Sequence, residues 1–98
     1  RLVTASVILR HLKGPNIIAQ FTSAFNDAEV VELEVGVKAK AAGRALAKLD
    51  LPRDAIVAGV GRGDDVVIPH GGTLVHGGDR VLLFALPDAR IEAERLFR

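Results

Sequence analysis

The sequence lacks several residue types, and each absence excludes a class of site. It has no cysteine, so a disulfide framework and a thiolate metal site are both excluded. It has no tryptophan or tyrosine and only four phenylalanines, which leaves no platform for stacking nucleic-acid bases. Thirteen basic and twelve acidic residues give a net charge of +1, too small to attract a polyanion strongly. Nucleic acid is therefore not expected as a partner.

Long hydrophobic runs are also absent. The longest apolar run, 81–86, is far shorter than the roughly twenty residues that cross a bilayer. No secretory signal is visible, so we expect a soluble cytoplasmic domain. A chain of 98 residues with 49% hydrophobic content predicts one compact domain. Such a chain buries only about two thirds of its unfolded surface, which favours self-association. The start at Arg1 instead of Met is expected for an excised part of a longer chain or for a processed one.

The hydrophobic pattern predicts an α+β fold. Helical spacing marks segments 2–12 and 39–49, and a last helix begins at Pro87. Extended patterns predict strands at 16–25, 28–35, 55–62, 66–68 and 80–85, with the first two forming a hairpin and the last in the centre. The expected architecture is a small, mostly antiparallel β-sheet with a central crossover helix and a C-terminal helix, preceded by an N-terminal helix. Ile91 falls on the side of the last helix opposite its apolar stripe.

The predicted strand 55–62 is unusual because glycines interrupt it. Strict alternation places Ile56, Ala58 and Val60 on one face and the smaller side chains on the other. The second set, which would form a nearly flat face for a ligand or another subunit, is Ala55, Val57, Gly59 and Gly61. Arg62 ends the strand beside a turn whose amides could assist an anion. Its alternative role is a surface cation, and the sequence leaves both open.

Several arrangements of residues were weighed for chemistry and none favours an enzyme. The glycines at 59–63 lack dinucleotide-loop spacing, and a strand follows where a helix should begin. No serine lies at a strand-to-helix elbow. A metal site is not expected, because no established ligand spacing joins the nearby candidates His70, His76, Asp64, Asp65 and Asp79. Three basic residues four positions apart form a stripe on the predicted central helix, namely Lys40, Arg44 and Lys48. We interpret this stripe as a solvated helix face.

An ordered set of residues from Val35 to Phe97 resembles the C-terminal lobe of the RCK family, the regulators of potassium conductance, also called the TrkA-C domain. The matching residues are Val35, Ala42-Gly43-Arg44, Leu46, Leu49, Leu51-Pro52, Ala55-Ile56-Val57, Arg62-Gly63, Val67-Ile68-Pro69, Gly71, Thr73 and Gly78-Asp79-Arg80. This resemblance implies a connector helix at 1–14 and an RCK C-terminal regulatory domain at 15–98. The connector would follow a nucleotide-binding lobe that this chain does not contain.

The resemblance also implies a function. It indicates a cytoplasmic, ligand-sensing regulatory domain of a potassium uptake system, channel or cation antiporter. The domain would form a homodimer through its sheet and lie at the inner face of the membrane through a membrane-embedded transporter or channel subunit. No intrinsic cofactor is expected, and the effector would be cyclic di-AMP or another nucleotide. The alternative is a ligand-free dimerisation module of a multidomain protein.

Candidate ligand-binding residues follow from the same resemblance. Carried over by position, the pocket wall would consist of Arg62, Val66, Val67, Ile68, Pro69 and His70. The chain departs from the family pattern at Gly59 and Gly61, where alanine and a bulky aliphatic residue are more typical. This departure would widen or flatten the pocket.

Overall fold

The computed structural model describes residues 28–98, which form a four-stranded antiparallel sheet followed by an α-helix. The elements are β1 (Glu29–Glu34), β2 (Arg44–Ala45), a 3₁₀ helix (Leu46–Lys48), β3 (Ala55–Arg62), β4 (Asp65–Val67), β5 (Leu74–Val75), β6 (Arg80–Ala85) and α1 (Pro87–Arg95). The main sheet has the order β1-β6-β3-β4, and β2 pairs with β5 separately. The predictions for 1–14 and 16–25 lie outside the described residues. Within 28–98, no helix is long and apolar enough to span a membrane.

Strand β6 is one of the two inner strands of the sheet, as its apolar sequence predicts. It pairs with β1 on one side and β3 on the other. Because side chains alternate across a strand, Val81 and Leu83 join the larger buried cluster, whereas Leu82 and Phe84 join a smaller cluster on the opposite face. We call these the helix face, which α1 covers, and the far face. A strand buried on both faces reads as a continuous apolar run instead of an alternating one.

A β-bulge in β3 changes which residues lie on each face. The pairing with β6 shifts register between Val57 and Gly59. Val57 and Val60 both pack in the helix-face cluster, although strict alternation would separate them. The predicted grouping of Val60 with Ile56 and Ala58 is therefore wrong, and the predicted flat face is divided between the two sides of the sheet. The extra residue of a bulge moves every later side chain to the other face.

The segment 39–49, predicted to be the crossover helix, consists instead of turns, β2 and the 3₁₀ helix. Gly43 has a φ of +81°, which a continuous α-helix does not allow. The N–H of Ala41 donates to the carbonyl of Leu96, and that of Gly43 donates to the carbonyl of Val75. The apolar side chains of the segment still pack against the helix-face cluster. Their helical spacing reflects burial on one side and not an α-helical backbone.

Helix α1 lies at the predicted position and begins with Pro87, whose fixed φ suits the first helical turn. Ala89 and Ala93 are buried on the helix face of the sheet, and Phe97 is buried just beyond the helix. Ile91 is 57% exposed, which confirms that it lies on the opposite side of α1. The helix therefore buries one side only.

An ion-pair network, which the sequence did not reveal, joins α1 to β1. Arg90 Nε lies 2.6 Å from Glu29 Oε1, and Arg90 Nη1 donates to Glu94 Oε2 at 2.6 Å. Arg98 Nη2 donates to the other Glu94 oxygen, also at 2.6 Å. The Glu94 side chain is only 5% exposed, so its charge is compensated by two guanidinium groups. The network fixes α1 against the edge of the helix face.

Candidate functional site

The predicted ligand residue Arg62 is held in place by the fold. Its Nε donates to Asp79 Oδ1 at 3.0 Å, and its Nη2 donates to Asp79 Oδ2 at 2.8 Å. Nη2 also donates to the carbonyl oxygen of Leu74 at 3.0 Å. This two-bond geometry is the strong form of an arginine–carboxylate pair. The Arg62 side chain nevertheless remains 45% exposed, so its outer edge faces solvent.

Asp79 is the buried member of this pair, with a side chain 4% exposed. Its Oδ2 also accepts the N–H of His76 at 2.9 Å, and Gly78 before it has a φ of +88°. Burial alone raises the pKa of the Asp79 carboxyl. The hydrogen bonds from Arg62 and His76, together with the Arg62 charge, outweigh burial and lower that pKa below its ordinary value. The hydrogen bond to Asp79 raises the pKa of the Arg62 guanidinium.

The Arg62–Asp79 pair is expected to make stability depend on pH in the acid range. The pKa of Asp79 is lower in the folded chain than the unfolded value of about 3.9. Its ionised form therefore stabilises the fold above about pH 4, and this contribution is lost as the pH falls through the folded pKa. Urea denaturation curves recorded between pH 7 and pH 3 measure this change in the free energy of unfolding. The Asp79→Asn variant should lose less stability over this range than wild type, and equal losses would contradict the assignment.

The β3–β4 hairpin divides the other predicted site residues between its two faces. Val60 pairs with Val67, and both pack against the helix-face cluster. Residues paired directly across an antiparallel ladder share a face, and Arg62 lies two positions beyond Val60 on that same side. Val66, by contrast, packs against the far-face cluster. The structure therefore brings Arg62 and Val67 together and separates Val66 from them.

The remaining predicted residues follow the end of β4. Ile68 is 59% exposed, Pro69 is half-buried and His70 is exposed. The His70 N–H donates to Thr73 Oγ1, and His70 Nδ1 accepts the N–H of Gly72, both at 3.0 Å. Because Nδ1 is an acceptor, a neutral imidazole carries its proton on Nε2. The turn thus presents an exposed aliphatic side chain and a ring donor near the hairpin.

The structure places the residues of the two other candidate sites, the metal site and the basic stripe. Within residues 28–98, no group of three His, Cys, Asp or Glu side chains is placed to hold a metal ion. Asp79, weighed as a ligand, pairs instead with Arg62. The basic residues Lys40, Arg44 and Lys48 do not form the predicted stripe along a central helix, because the segment is not an α-helix. The pairing role of Asp79 was missed, although a Gly-Asp turn before a buried strand was its one visible signal.

Comparison with known proteins identifies the family. Residues 30–98 match the TrkA-C domain. The chain belongs to the TrkA-C family. It is 37% identical over 98 residues to the Trk system potassium uptake protein TrkA homolog 2 of Methanosarcina mazei, covering 100% of this chain and 22% of that protein. The chain spans about a fifth of the length of these curated relatives of the Trk potassium uptake system.

Solved structures share the TrkA-C fold described above. One is the RCK C domain of the potassium transport protein KtrA in complex with cyclic diadenosine monophosphate. It has a TM-score of 0.63 at 18% identity and covers 81% of this chain and 94% of that one. Another is the GsuK channel bound to NAD, with a TM-score of 0.63 at 19% identity, covering 84% of this chain and 16% of that one. At these identities the likeness concerns the fold.

Proposed function

We propose that this chain is a regulatory domain of a potassium uptake system, channel or cation antiporter, and that it performs no chemistry. The observation that carries the proposal is the TrkA-C match over residues 30–98, because relatives matched over the whole chain are named as potassium uptake proteins. The geometry around Arg62 supports it. The Arg62 side chain is 45% exposed and Ile68 is 59% exposed, so the site offers a cation and an aliphatic group to a ligand.

The proposed effector is a nucleotide, with cyclic di-AMP as the first candidate. KtrA and GsuK provide the precedent, since those structures contain cyclic di-AMP and NAD respectively. In this chain the outer edge of Arg62 would meet a phosphate. Ile68, Pro69 and the imidazole of His70 would contact the base or sugar, because exposed apolar groups beside a few polar ones are typical of ligand sites. Val67 would support Arg62 from the same face of the hairpin.

Regulation would operate through a homodimer attached to a membrane-embedded transporter or channel subunit on the cytoplasmic side. A ligand that binds one geometry of the dimer more tightly shifts the population toward that geometry, and the attached protein responds. The domain would transmit the change without catalysing a reaction. A nucleotide-binding lobe on another part of the system would complete the regulator.

Titration calorimetry of the 98-residue chain with cyclic di-AMP, ATP and NAD tests the effector, and light scattering tests the dimer. We expect a dimer that binds cyclic di-AMP, with an affinity at least tenfold weaker for Arg62→Ala, because a charge-assisted hydrogen bond contributes about 1.5–3 kcal/mol. Arg53→Ala, an exposed arginine at the start of another turn, is the control. A monomer that binds none of the three compounds would contradict the proposal.

The second candidate function is a ligand-free dimerisation module. One observation favours it, namely that three bonds of the Arg62 guanidinium are already made within the fold. A dimer whose mass and melting temperature no nucleotide changes would select this candidate.

A further inference from the structure

The guanidinium of Arg62 has used most of its hydrogen-bonding capacity. Arginine carries five N–H groups. The Nε–H and one Nη2–H bind the two oxygens of Asp79, and the other Nη2–H binds the Leu74 carbonyl. Among the described residues, no acceptor is bound to Nη1. The two N–H groups of that single nitrogen are therefore what Arg62 can offer to a ligand, and the bonds on its inner side fix their direction.

Asp79 compensates the charge of Arg62 in addition to fixing the direction of its guanidinium. Asp79 places a full negative charge 2.8 Å from Nη2. Asp65 pairs directly with Arg62 in the ladder and adds a carboxylate on the same face of the hairpin. Within residues 28–98, Arg80 also contacts the β3–β4 turn, where its Nη2 donates to Gly63 O at 2.7 Å. The Asp79 charge thus compensates that of Arg62, and Asp65 adds a second carboxylate on the same face of the hairpin, which leaves the site without excess positive charge.

We propose that Asp79 is a specificity-determining residue of the effector site, selecting ligands whose acceptor group carries at most one negative charge. The inference rests on the proposed function, since it concerns the ligand that Arg62 would bind. A phosphodiester has one delocalised negative charge and accepts the two Nη1–H bonds. The terminal phosphate of ATP carries a second charge near neutral pH. That second charge meets the Asp65 carboxylate and an Arg62 guanidinium whose charge Asp79 already compensates.

Asp79 acts through Arg62 and does not itself touch the ligand, because its side chain is only 4% exposed. Its removal therefore has two opposite effects on binding. The guanidinium loses its fixed direction, which weakens binding of every ligand, and it regains its charge, which favours the more highly charged one. The ratio of two affinities isolates the second effect. If Asp79 had a purely structural role, its removal would weaken the binding of both ligands equally and leave the ratio of the two affinities unchanged.

The test compares the dissociation constants of cyclic di-AMP and magnesium-free ATP for the 98-residue chain and two variants. Asp79→Asn retains an oxygen for the His76 N–H while removing the charge. We expect it to shift the affinity ratio about tenfold toward ATP, because it removes one negative charge that acts on the second charge of ATP from behind Arg62. Asp64→Asn makes the same charge change in the exposed turn without contacting Arg62. The Asp64→Asn variant should shift the affinity ratio less than about twofold, because solvent screens the charge of Asp64.

The outcomes separate this inference from the proposed function. Wild type that binds cyclic di-AMP, with a ratio unchanged in Asp79→Asn, overturns the role of Asp79 alone. Wild type that binds neither ligand overturns both. If thermal melting shows that Asp79→Asn does not fold, Arg62→Gln replaces it. That variant should bind cyclic di-AMP about tenfold more weakly and ATP more weakly still, because it leaves the Asp79 charge uncompensated beside the second charge of ATP, and an affinity ratio unchanged from wild type would refute the inference.

Discussion

Replacing Phe97 with alanine is expected to destabilise the domain by about 3–5 kcal/mol, the usual result of truncating a buried aromatic side chain. Phe97 is 0% exposed and lies in the helix-face cluster. Domains of this size have a total stability of only about 5–15 kcal/mol. The midpoint of thermal unfolding should therefore fall by about 12 °C or more. Circular dichroism melting curves measure this change directly.

The position of Phe97 explains why the loss should spread beyond one cavity. Its carbonyl accepts the N–H of Gly36 at 2.9 Å, and the neighbouring carbonyl of Leu96 accepts the N–H of Ala41 at 2.9 Å. The ring thus anchors the point where the end of α1 meets the turn segment after β1. Ile91→Ala, which removes an exposed aliphatic group from the same helix, is the control and should change stability by about 0.5 kcal/mol or less. Equal effects of the two variants would contradict this account of the core.

The sequence predicted those elements whose pattern is set locally. Strands β3 and β6 begin and end where the apolar runs do, and α1 begins at the expected proline. In each case the chain's own periodicity and a turn residue determine the boundary. The inner position of β6 also followed from its composition, because a strand buried on both faces lacks polar alternation.

The errors arose where tertiary contacts override the local pattern. Segment 39–49 has helical spacing, but its backbone binds partners distant in the chain, and Gly43 adopts a positive φ. The faces of β3 were misassigned after Val57, because the bulge is defined by its register with β6 and not by its own residues. Neither feature can be predicted from the residues of the segment alone, because each depends on contacts with residues that are distant in the sequence.

The candidate site shows the same division. Arg62 was singled out from its place at a strand end, and the structure leaves it half-exposed there. Its partner Asp79 is seventeen residues away, and only the return of β6 beside β3 brings the two together. Sequence reasoning therefore found the residue that faces solvent and missed the one that orients it. The face occupied by Val66 could not be predicted either, since it depends on the register of the β3–β4 hairpin.

Gly77 is expected to tolerate no side chain, although its own position is exposed. A Cβ atom built there would lie 2.8 Å from Val37 Cα, 3.1 Å from Val37 Cγ1 and 3.3 Å from Val37 Cβ. The nearest of these is a backbone atom, and hydrogen bonds hold the two residues that precede it. Gly36 N–H donates to Phe97 O, and Gly78 N–H donates to Val35 O. Relief of the clash therefore requires a backbone shift.

Gly77→Ala should accordingly destabilise the domain by about 1–3 kcal/mol, the range for overpacking a fixed site. The expected fall in melting temperature is about 4–8 °C for each kcal/mol. Gly63→Asn is the matched control, because a Cβ at Gly63 meets nothing within 4 Å and asparagine tolerates its φ of +59°. If the two variants melt at the same temperature, the turn is free to move away from Val37. In that case the hydrogen bonds of Gly36 and Val35 would not fix the position of the Val37 backbone.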